Sequence, residues 1–251
     1  MTAKPWIEPR WPAPPNVHAC STLRRGGVSK ASWASLNLGG HVNDDSSHVA
    51  ENRRRLMTQA GLPEEPRWLT QVHGCDVVDN SILDDACLPQ PPQADAAYSN
   101  LEKRVCAVLT ADCLPVLFVD AEGREVAAAH AGWRGLAAGV LEQTIGRFST
   151  APDALLAWLG PAIGPESFEV GEDVRDAFTA WNSACETAFV AHREGRWLAD
   201  IYQLASLRLR HAGVTEIHGG GYCTYSDAER FFSYRRDGET GRMATLIWFD
   251  G

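Results

Sequence analysis

The sequence lacks the features that mark membrane, secreted and nucleic-acid-binding proteins. No uncharged apolar run reaches the roughly 18 residues that a membrane-spanning helix requires. The segment from Met1 to Pro15 has several prolines and two tryptophans but no apolar core, which is not typical of a signal peptide. Lys and Arg number 23 against 32 Asp and Glu, and the net charge of −9 argues against a general nucleic-acid binder. We therefore expect an acidic, soluble, cytoplasmic protein that binds neither nucleic acids nor membranes.

Closely paired cysteines are also lacking. The 251 residues contain seven cysteines, and the shortest interval, between Cys106 and Cys113, is seven residues. This spacing excludes four-cysteine zinc modules, thioredoxin-like redox sites and haem attachment. An odd number of cysteines argues against a secreted disulfide scaffold. We expect reduced thiols that mostly pack in the core as small hydrophobes, and Cys106, which lies within an apolar run, is the clearest case.

Several common catalytic signatures are missing as well. The chain has no G-x-x-x-x-G-K-[ST] phosphate loop, no G-x-G-x-x-G, no H-E-x-x-H and no G-x-S-x-G. Gly219-Gly220-Gly221 comes closest to a dinucleotide loop but does not complete that pattern. The sequence therefore points away from the nucleotide-binding, zinc-protease and serine-hydrolase classes that these motifs identify.

What the sequence does contain is a globular pattern of apolar runs and helical periods. Hydrophobic residues make up 45% and charged residues 22%, which is typical of a folded protein. Strands and helices without strict alternation favour one α+β domain over residues 1–251 with a substantial mixed sheet. The apolar runs predict strands over 17–22, 104–110, 114–120, 126–129, 154–159, 214–218 and 243–249, and an extended segment over 67–72. The helical periods predict helices over 48–60, Trp133 to Phe148, 172–181 and 198–211.

Three short segments carry most of the chemistry, and each follows an apolar strand. They contain His73, Cys113 and His130, and strand ends are where open sheets bind ligands. One thiolate and two imidazoles can hold zinc with a tetrahedral position left open, and the metal then polarises a substrate oxygen. Intervals of 40 and 17 residues are too long for a local motif. Two alternatives therefore stay open: a Cys113 nucleophile with a histidine base, or local hydrogen bonds for the histidines and core packing for the cysteine.

Candidate anion-binding and acid–base residues flank these segments. Gly132 leads into the helix predicted from Trp133, where free N–H groups and Arg134 in the first turn favour an anion. Arg235 belongs to a second cationic stretch, although a solvated, salt-bridged arginine is the alternative at both positions. Asp112, beside Cys113, is a candidate to protonate a leaving group or activate water, and otherwise holds the turn or orients a ligand.

Five short strings follow one another along the chain. They are Gln-Val-His-Gly, Thr-Ala-Asp-Cys-Leu-Pro, His-Ala-Gly-Trp-Arg-Gly, Leu-Gly-Pro-Ala-Ile-Gly and Phe-Phe-Ser-Tyr-Arg-Arg-Asp, in that order. Together they resemble the YfiH family, known as laccase-domain or multicopper polyphenol oxidase proteins and also described as purine nucleoside phosphorylases. The similarity runs nearly from end to end, from Arg24 to Met243.

The resemblance implies a single-domain, layered αββα fold of the α+β class, related to a toxin deamidase with a Cys–His site. It implies zinc on His73, Cys113 and His130. The implied activity is phosphorolysis of adenosine, inosine and methylthioadenosine, with an accompanying adenosine deamination. The implied partners are purine nucleosides and phosphate. The resemblance does not indicate an oligomeric state. We expect the phosphate near Arg24, Arg134 or Arg235.

Copper is a poor fit to the sequence. A laccase-like multicopper oxidase needs many histidines, several as His-x-His, and its blue-copper site usually has an axial methionine. This chain has eight histidines, no two of them two positions apart, and three methionines. The H-x-E and P-C-x-x-C pattern of zinc cytidine deaminases is absent too, so deamination would use a different geometry.

Two positions depart from the family pattern, and two other functions compete with phosphorolysis. Leu23 stands where the family usually has threonine, and Asn43 where it usually has glycine, so substrate preference stays open. The first competing function is a cysteine-dependent hydrolase or amidase, for example one that edits cell-wall precursors. The second is a catalytically idle, metal-stabilised binding protein.

Overall fold

The computed structural model describes residues 4–82 and 90–251. Met1 and Cys87, one of the seven cysteines, lie outside the described residues, as does Pro89, the first residue of the proline-rich segment 89–92 that predicts a loop. The helices are α1 Ser46–Ala60, α2 Trp133–Ala138, α3 Val140–Ile145, α4 Glu172–Trp181, α5 Ile201–His211 and α6 Tyr234–Asp237. The strands are β1 Trp6–Ile7, β2 Val17–Thr22, β3 Val77–Asp79, β4 Ala96–Ser99, β5 Cys106–Thr110, β6 Leu114–Asp120, β7 Val126–Ala131, β8 Leu155–Leu159, β9 Glu169–Gly171, β10 Phe189–Arg193, β11 Arg196–Ala199, β12 Glu216–Gly219 and β13 Met243–Phe249.

The described strands form two large sheets and one small one. The larger sheet has the order β12-β8-β6-β7-β4-β3 and is mixed, because β12 and β8 run parallel, as do β3 and β4. The second sheet has the order β1-β2-β13-β5 and is antiparallel throughout. A three-stranded sheet, β10-β11-β9, is separate from both.

The two large sheets pack face to face, and helices cover their outer faces. Leu117 on β6 and Ile247 on β13 lie in the core between the sheets. The outer face of the six-stranded sheet packs against α2, α3 and α5, with Phe118 and Leu204 in that core. On the other side, Leu246 of β13 packs against Leu56 of α1. This order of layers is the αββα arrangement that the family resemblance implies, and strands buried on both faces explain the continuous apolar runs.

Most predicted elements agree with the structure, and the departures have local causes. The helix predicted from Trp133 to Phe148 is interrupted at Gly139, whose φ of +101° ends α2 before α3 begins. The helix predicted from residue 198 begins at Ile201, because Arg196–Ala199 is a strand and Asp200 caps the helix by accepting N–H bonds from Tyr202 and Gln203.

The remaining departures concern strands. The segment 67–72 contributes a single bridge, between Thr70 and Gln93, and no strand. Strand β4 was missed because its sequence, Ala-Ala-Tyr-Ser, has little of the β-branched enrichment that marks strands. In the part of the chain that the structure describes, no helix has the length and apolar character to cross a membrane.

Candidate metal centre and active site

The candidate site lies where the chain crosses from one large sheet to the other. Strand β5 ends at Thr110 in the four-stranded sheet, and β6 begins at Leu114 in the six-stranded sheet. The crossing turn therefore carries Asp112 and Cys113. Asp112 has a φ of +93°, a left-handed conformation that non-glycine residues rarely adopt.

Strand register brings the site residues of the six-stranded sheet together at one edge. Leu114 pairs with Ala131, which sets Cys113 beside the end of β7 and close to His130. Ala96 pairs with Ala129, so Asp95, just before β4, lies next to His130. Neighbouring antiparallel strands thus present a thiol, an imidazole and a carboxylate at the same edge.

The structure brings the three predicted metal ligands together. The ligand atoms of His73, Cys113 and His130 all lie within 4.8 Å of one another. The Cys113 sulfur is 3.8 Å from Nε2 of His73, and the two imidazole rings meet edge to face with centroids 4.8 Å apart. His130 is buried, Cys113 is half-buried and His73 is exposed, so the cluster opens to solvent on one side.

Asp95 orients both histidines of this cluster from its buried side, and this role was not predicted from the sequence. The carboxylate is fully buried, and its Oδ1 accepts a hydrogen bond from Nδ1 of His130 at 2.8 Å. It also accepts the backbone N–H groups of Val72, His73 and Gly74 at 3.1, 2.9 and 2.7 Å. One side chain therefore orients one histidine by its ring and the other by its backbone. A lone aspartate before an alanine-rich strand carries no sequence signal of this role.

The loop that carries His73 is fixed by a second side chain. The Gln71 amide pairs with the backbone of Leu109 on β5, donating to its C=O at 2.8 Å and accepting its N–H at 2.7 Å. This pairing ties the loop to the four-stranded sheet. His73 itself has a φ of +61°. Its N–H and those of Val72 and Gly74 all donate to Asp95, and these three hydrogen bonds stabilise that conformation.

Electrostatics favour a charged Cys113–His130 pair in the metal-free chain. Burial alone would raise the pKa of the Cys113 thiol, but His130 and then His73 lower that pKa to about 6. Burial would lower the pKa of His130, but Cys113 and Asp95 together raise it to about 9. Thiolate is the form of cysteine that binds metals and attacks electrophiles, so the cluster is prepared for either role.

Gly132 is required at its position because the cluster is crowded. A Cβ atom there would lie 2.9 Å from Cδ2 of His73 and 3.0 Å from the sulfur of Cys113. Any larger residue would displace two of the three candidate ligands. Glycine therefore serves here to let the backbone approach the cluster closely.

The donor set suits a zinc ion. A thiolate and two imidazole nitrogens are ligands that Zn²⁺ prefers, and three protein ligands are the number found in catalytic zinc sites. His130 also donates its other ring N–H to a carboxylate, which is the usual second partner of a zinc-binding histidine. The residues present therefore fit a metal of this kind.

Asp112 and Arg235 are neighbours in the structure. Oδ1 of Asp112 accepts the hydroxyl of Thr224 at 2.6 Å, and Oδ2 accepts the backbone N–H of Arg235 at 2.7 Å. Both oxygens thus hold other segments of the site in place. The Arg235 guanidinium donates to the carbonyl of Glu169 at 2.9 Å and is exposed. The acid–base role of Asp112 and the phosphate role of Arg235 stay predictions.

Arg24 and Arg134 make contacts outside the cluster. The Arg24 guanidinium donates to the carbonyls of Ala34 and Ala228 at 3.1 and 3.0 Å and lies over the ring of Phe232. Arg134 is exposed and lies over the ring of Trp133. The anion site predicted from the sequence lies at the start of helix α2. This helix is only six residues long. Phosphate binding by Arg24 and Arg134 also stays a prediction.

One departure from the family pattern has a structural explanation. Asn43 adopts a φ of +60°, the left-handed region where glycine is favoured and asparagine is tolerated. Its side-chain amide donates to Glu239 at 2.6 Å. Asparagine is therefore accommodated at a left-handed position where glycine is favoured. Leu23, the other departure, packs against the cluster of Phe231 and Phe232.

Comparison with known proteins identifies the relatives of this chain. The family model described as multi-copper polyphenol oxidoreductase laccase matches residues 18–250. The Escherichia coli (strain K12) protein named purine nucleoside phosphorylase YfiH is 56% identical over 242 residues, which cover 96% of this chain and 98% of that protein. The chain belongs to the YfiH family.

Other YfiH-family relatives agree in sequence and fold. A Pseudomonas aeruginosa protein named purine nucleoside phosphorylase PA4543 is 54% identical over 244 residues, 97% of this chain and 98% of that protein. The crystal structure of Neisseria meningitidis protein NMB0706 is 49% identical with a TM-score of 0.94, covering 99% of this chain and 100% of that one. YlmD from Geobacillus stearothermophilus is 32% identical with a TM-score of 0.87, covering 100% and 98%. The family resemblance and the predicted α+β fold are confirmed.

The oxidoreductase wording of the YfiH-family model does not match the donor set. A laccase-type enzyme needs a blue-copper site and a separate three-copper cluster, each with its own histidines. In the described ranges 4–82 and 90–251, one group of three metal-binding side chains is present, and it is His73, Cys113 and His130. The side chains thus provide for a single ion.

Proposed function

We propose that this protein is a zinc-dependent purine nucleoside phosphorylase that cleaves adenosine, inosine and methylthioadenosine with phosphate. The observation that carries the proposal is the His73–Cys113–His130 cluster in a chain 56% identical to a protein named purine nucleoside phosphorylase YfiH. Zinc, when bound by these three residues, supplies a Lewis acid that polarises a substrate oxygen.

The protein's own residues prepare the site. Because Nδ1–H of His130 donates to Asp95, Nε2 is the nitrogen that remains for the cluster. Asp95 also holds the His73 backbone, which fixes the exposed side of the cluster. Cys113 contributes a thiolate, since its pKa of about 6 keeps it ionised at neutral pH.

Phosphorolysis forms one bond and breaks one. A phosphate oxygen bonds to C1′ of the ribose while the bond from C1′ to the purine nitrogen breaks. The electron pair of that bond leaves with the base, which takes up a proton, and ribose 1-phosphate remains. The sugar is cationic in the transition state, so an anionic phosphate beside C1′ stabilises it. The arginines predicted for the phosphate are Arg24, Arg134 and Arg235, and Asp112 supports the site through Thr224 and Arg235.

Adenosine deamination is the accompanying activity that we propose. Water adds at C6 of the purine and ammonia leaves, so adenosine becomes inosine. Both activities need the purine nucleoside beside the same cluster. Substitution of a cluster residue is therefore expected to remove both together.

The test is a product assay on the purified, metal-loaded protein. Inosine is incubated with and without phosphate, and ribose 1-phosphate, ribose and hypoxanthine are separated by chromatography. We expect ribose 1-phosphate only when phosphate is present, and its loss in the variant Cys113→Ala. Metal analysis should give one zinc per chain for the wild type and less for Cys113→Ala.

A buried cysteine outside the site provides the matched control. Cys20 is 3% exposed and packs with the α1 layer, so Cys20→Ala should keep both zinc and activity. Ribose 1-phosphate release at the wild-type rate by Cys113→Ala would contradict a role for the cluster. Release of free ribose alone would contradict phosphorolysis and indicate a hydrolase.

A cysteine-dependent hydrolase or amidase is the second candidate, favoured by the Asp95–His130–Cys113 chain. This order of orienting carboxylate, histidine and nucleophile is the arrangement of thiol hydrolases. The Cys113 thiolate would attack an amide carbon, as in a cell-wall precursor, and His130 would pass a proton to the leaving amine. Water would then release the acid and restore the thiol.

Metal dependence separates the two candidates. Activity that a chelator abolishes and zinc restores supports the phosphorylase. Activity that survives chelation but is lost when Cys113 is alkylated supports the hydrolase. Zinc retention without turnover of any nucleoside or amide would support the third expectation, a metal-stabilised binding protein.

We also infer that the chain works as one catalytic domain in the cytoplasm. In support, Cys113 lies on the turn that joins the two large sheets and His130 lies at the end of a strand of one of them, so a cut between the sheets would divide the cluster. The six described cysteines are free thiols, which suits a reducing compartment.

A further inference from the structure

Arg242 lies at the edge of the sheet that carries the candidate site. Met243 pairs with Thr110 at the end of β5, so Arg242 lies one position further, level with Ala111. The turn that begins there carries Asp112 and Cys113. Strand register alone therefore brings this arginine beside the cluster.

The backbone and stem of Arg242 are held rigidly. Its N–H donates to the side-chain oxygen of Asn37 at 2.9 Å, and its C=O accepts the N–H of Leu38 at 3.2 Å. A Cβ at Gly39 would lie 2.8 Å from Cγ of Arg242, so the glycine lets the stem lie flat against this segment. The exposed ring of Tyr234 stands 6.0 Å from the guanidinium carbon.

The guanidinium keeps donors free for a ligand. Nη1 donates to the carbonyls of Thr240 and Gly241 at 2.9 and 3.1 Å. Nε and Nη2 of Arg242 have no acceptor among the residues that the structure describes. The guanidinium is half-buried, its Nη1 is fixed by the two carbonyls, and its Nε and Nη2 edge is suited to a bidentate hydrogen bond with an oxyanion.

Electrostatic interactions agree with the position of Arg242 beside the cluster. Burial lowers the pKa of Arg242, while the negative charges of Cys113 and Asp112 counteract this effect. The guanidinium is therefore close enough to interact with the turn that carries both residues, as the strand register indicates.

Of the arginines predicted from the sequence, Arg24 has fewer free donors than Arg242, and Arg134 and Arg235 are exposed whereas Arg242 is half-buried. Arg24 uses Nε and Nη1 on backbone carbonyls, and Arg235 uses Nη1 on Glu169. Arg134 is exposed and lies over the ring of Trp133. It belongs to helix α2, so strand pairing does not fix its position beside the cluster as it does for Arg242. Arg242 therefore combines proximity, rigidity and free donors.

We propose that Arg242 binds the phosphate co-substrate at this site, with its Nε and Nη2 edge on two phosphate oxygens. This inference rests on the proposed phosphorolysis for its kinetic test, but anion binding can be measured without turnover. It adds a phosphate-binding residue that the motifs near Cys113 do not indicate.

The kinetic test compares Arg242→Gln and Arg242→Lys with the wild type in the inosine and phosphate assay. We expect the KM for phosphate to rise about 10- to 100-fold in Arg242→Gln, the loss typical of a charge-assisted hydrogen-bond pair. The KM for inosine should change less than about threefold, and Arg242→Lys should recover part of the loss by charge alone. Arg124→Gln, an exposed arginine paired with Glu122, is the matched control and should behave as wild type.

A second measurement does not require activity. Phosphate at millimolar concentration should raise the Tm of the metal-loaded wild-type protein above that in chloride of equal ionic strength, and Arg242→Gln should lose this shift. If the wild type makes no ribose 1-phosphate but keeps an Arg242-dependent shift, phosphorolysis fails and the anion site stands. An active wild type with an unchanged phosphate KM in a folded Arg242→Gln would overturn the inference. A rise confined to Arg24→Gln or Arg235→Gln would overturn it too.

Discussion

Replacing Asp95 with asparagine should damage the site far more than its small change in shape suggests. The carboxylate accepts four N–H groups, two on each oxygen. Oδ1 serves His73 and His130, and Oδ2 serves Val72 and Gly74. An asparagine amide has one acceptor oxygen and one NH₂ group, so two of the four donors would face another donor.

The expected cost has two parts. Two buried N–H groups without acceptors cost about 1–3 kcal/mol each, so Asp95→Asn should lower the free energy of unfolding by about 2–6 kcal/mol. If the NH₂ group faces Nδ1 of His130, the histidine must carry its proton on Nε2, the nitrogen that belongs to the cluster. Loss of such an orienting partner typically weakens metal binding about 10- to 100-fold.

Asp120→Asn is a closely matched control. Asp120 is 1% exposed, and its carboxylate accepts the N–H groups of Glu122, Arg124 and Glu125 in a turn away from the cluster. Both variants should therefore lose stability in urea unfolding. Only Asp95→Asn should also lose zinc affinity, measured by competition with a chromophoric chelator, and phosphorolysis, measured at a temperature where both variants are folded.

Wild-type zinc affinity and activity in a folded Asp95→Asn variant would refute the reasoning. That result would mean that the His130 tautomer and the His73 loop are set by other contacts. An equal loss of zinc affinity in Asp120→Asn would also refute it, because the effect would then follow from lower stability alone.

Three further predictions concern crowding, ionisation and the core. Gly132→Ala places a methyl group within 3.0 Å of the Cys113 sulfur and should weaken zinc binding more than about tenfold. Gly146→Ala, whose methyl group would make no contact shorter than 3.4 Å, should leave zinc binding unchanged. Both zinc affinities are measured by chelator competition. In the metal-free protein, the pKa of Cys113 is lowered to about 6, so its alkylation by iodoacetamide should rise with pH through about 6, while Cys20, whose pKa is raised to about 12, stays unreactive. Peptide mass spectrometry from pH 4.5 to 9 measures both, and a Cys113 midpoint near its ordinary value of 9.0 would contradict the thiolate–imidazolium pair. Arg208, which is 5% exposed, donates to Glu142 at 2.8 Å, so Arg208→Met should lower stability by about 3 kcal/mol in urea unfolding, and Glu142→Gln should restore part of it. Full stability of the single variant would show that this pair contributes nothing.

The sequence predicted the elements with strong local signals. Strands β2, β6 and β13 and helix α4 agree with the predicted bounds, because continuous apolar runs and a clear helical period leave few alternatives. Strands whose hydrophobic pattern is weak or short were not predicted. Strands β9 to β11 have three to five residues and partly exposed faces, so their pattern is not distinct from that of a loop.

The same division holds within the candidate site. His73, Cys113 and His130 were found because each is a chemically distinctive residue at the end of an apolar run. Asp95 and Arg242 were not, because an aspartate and an arginine are common residues whose roles depend on what lies opposite them across the sheet. Gly132 and Asn43 were noticed as sequence features, but only the backbone angles and the close approaches in the structure explain them.

The sequence by itself determined the class of fold, the absence of closely paired cysteines and the residue types available for chemistry, since these follow from local pattern and composition. The tertiary structure alone decided which residues share a site. Intervals of 40 and 17 residues close to less than 4.8 Å because β6, β7 and β4 are neighbours in one sheet and β5 delivers Cys113 from the other. Strand order and register are set by the packing of the whole core, and so the donors of the site could not be read from any one segment.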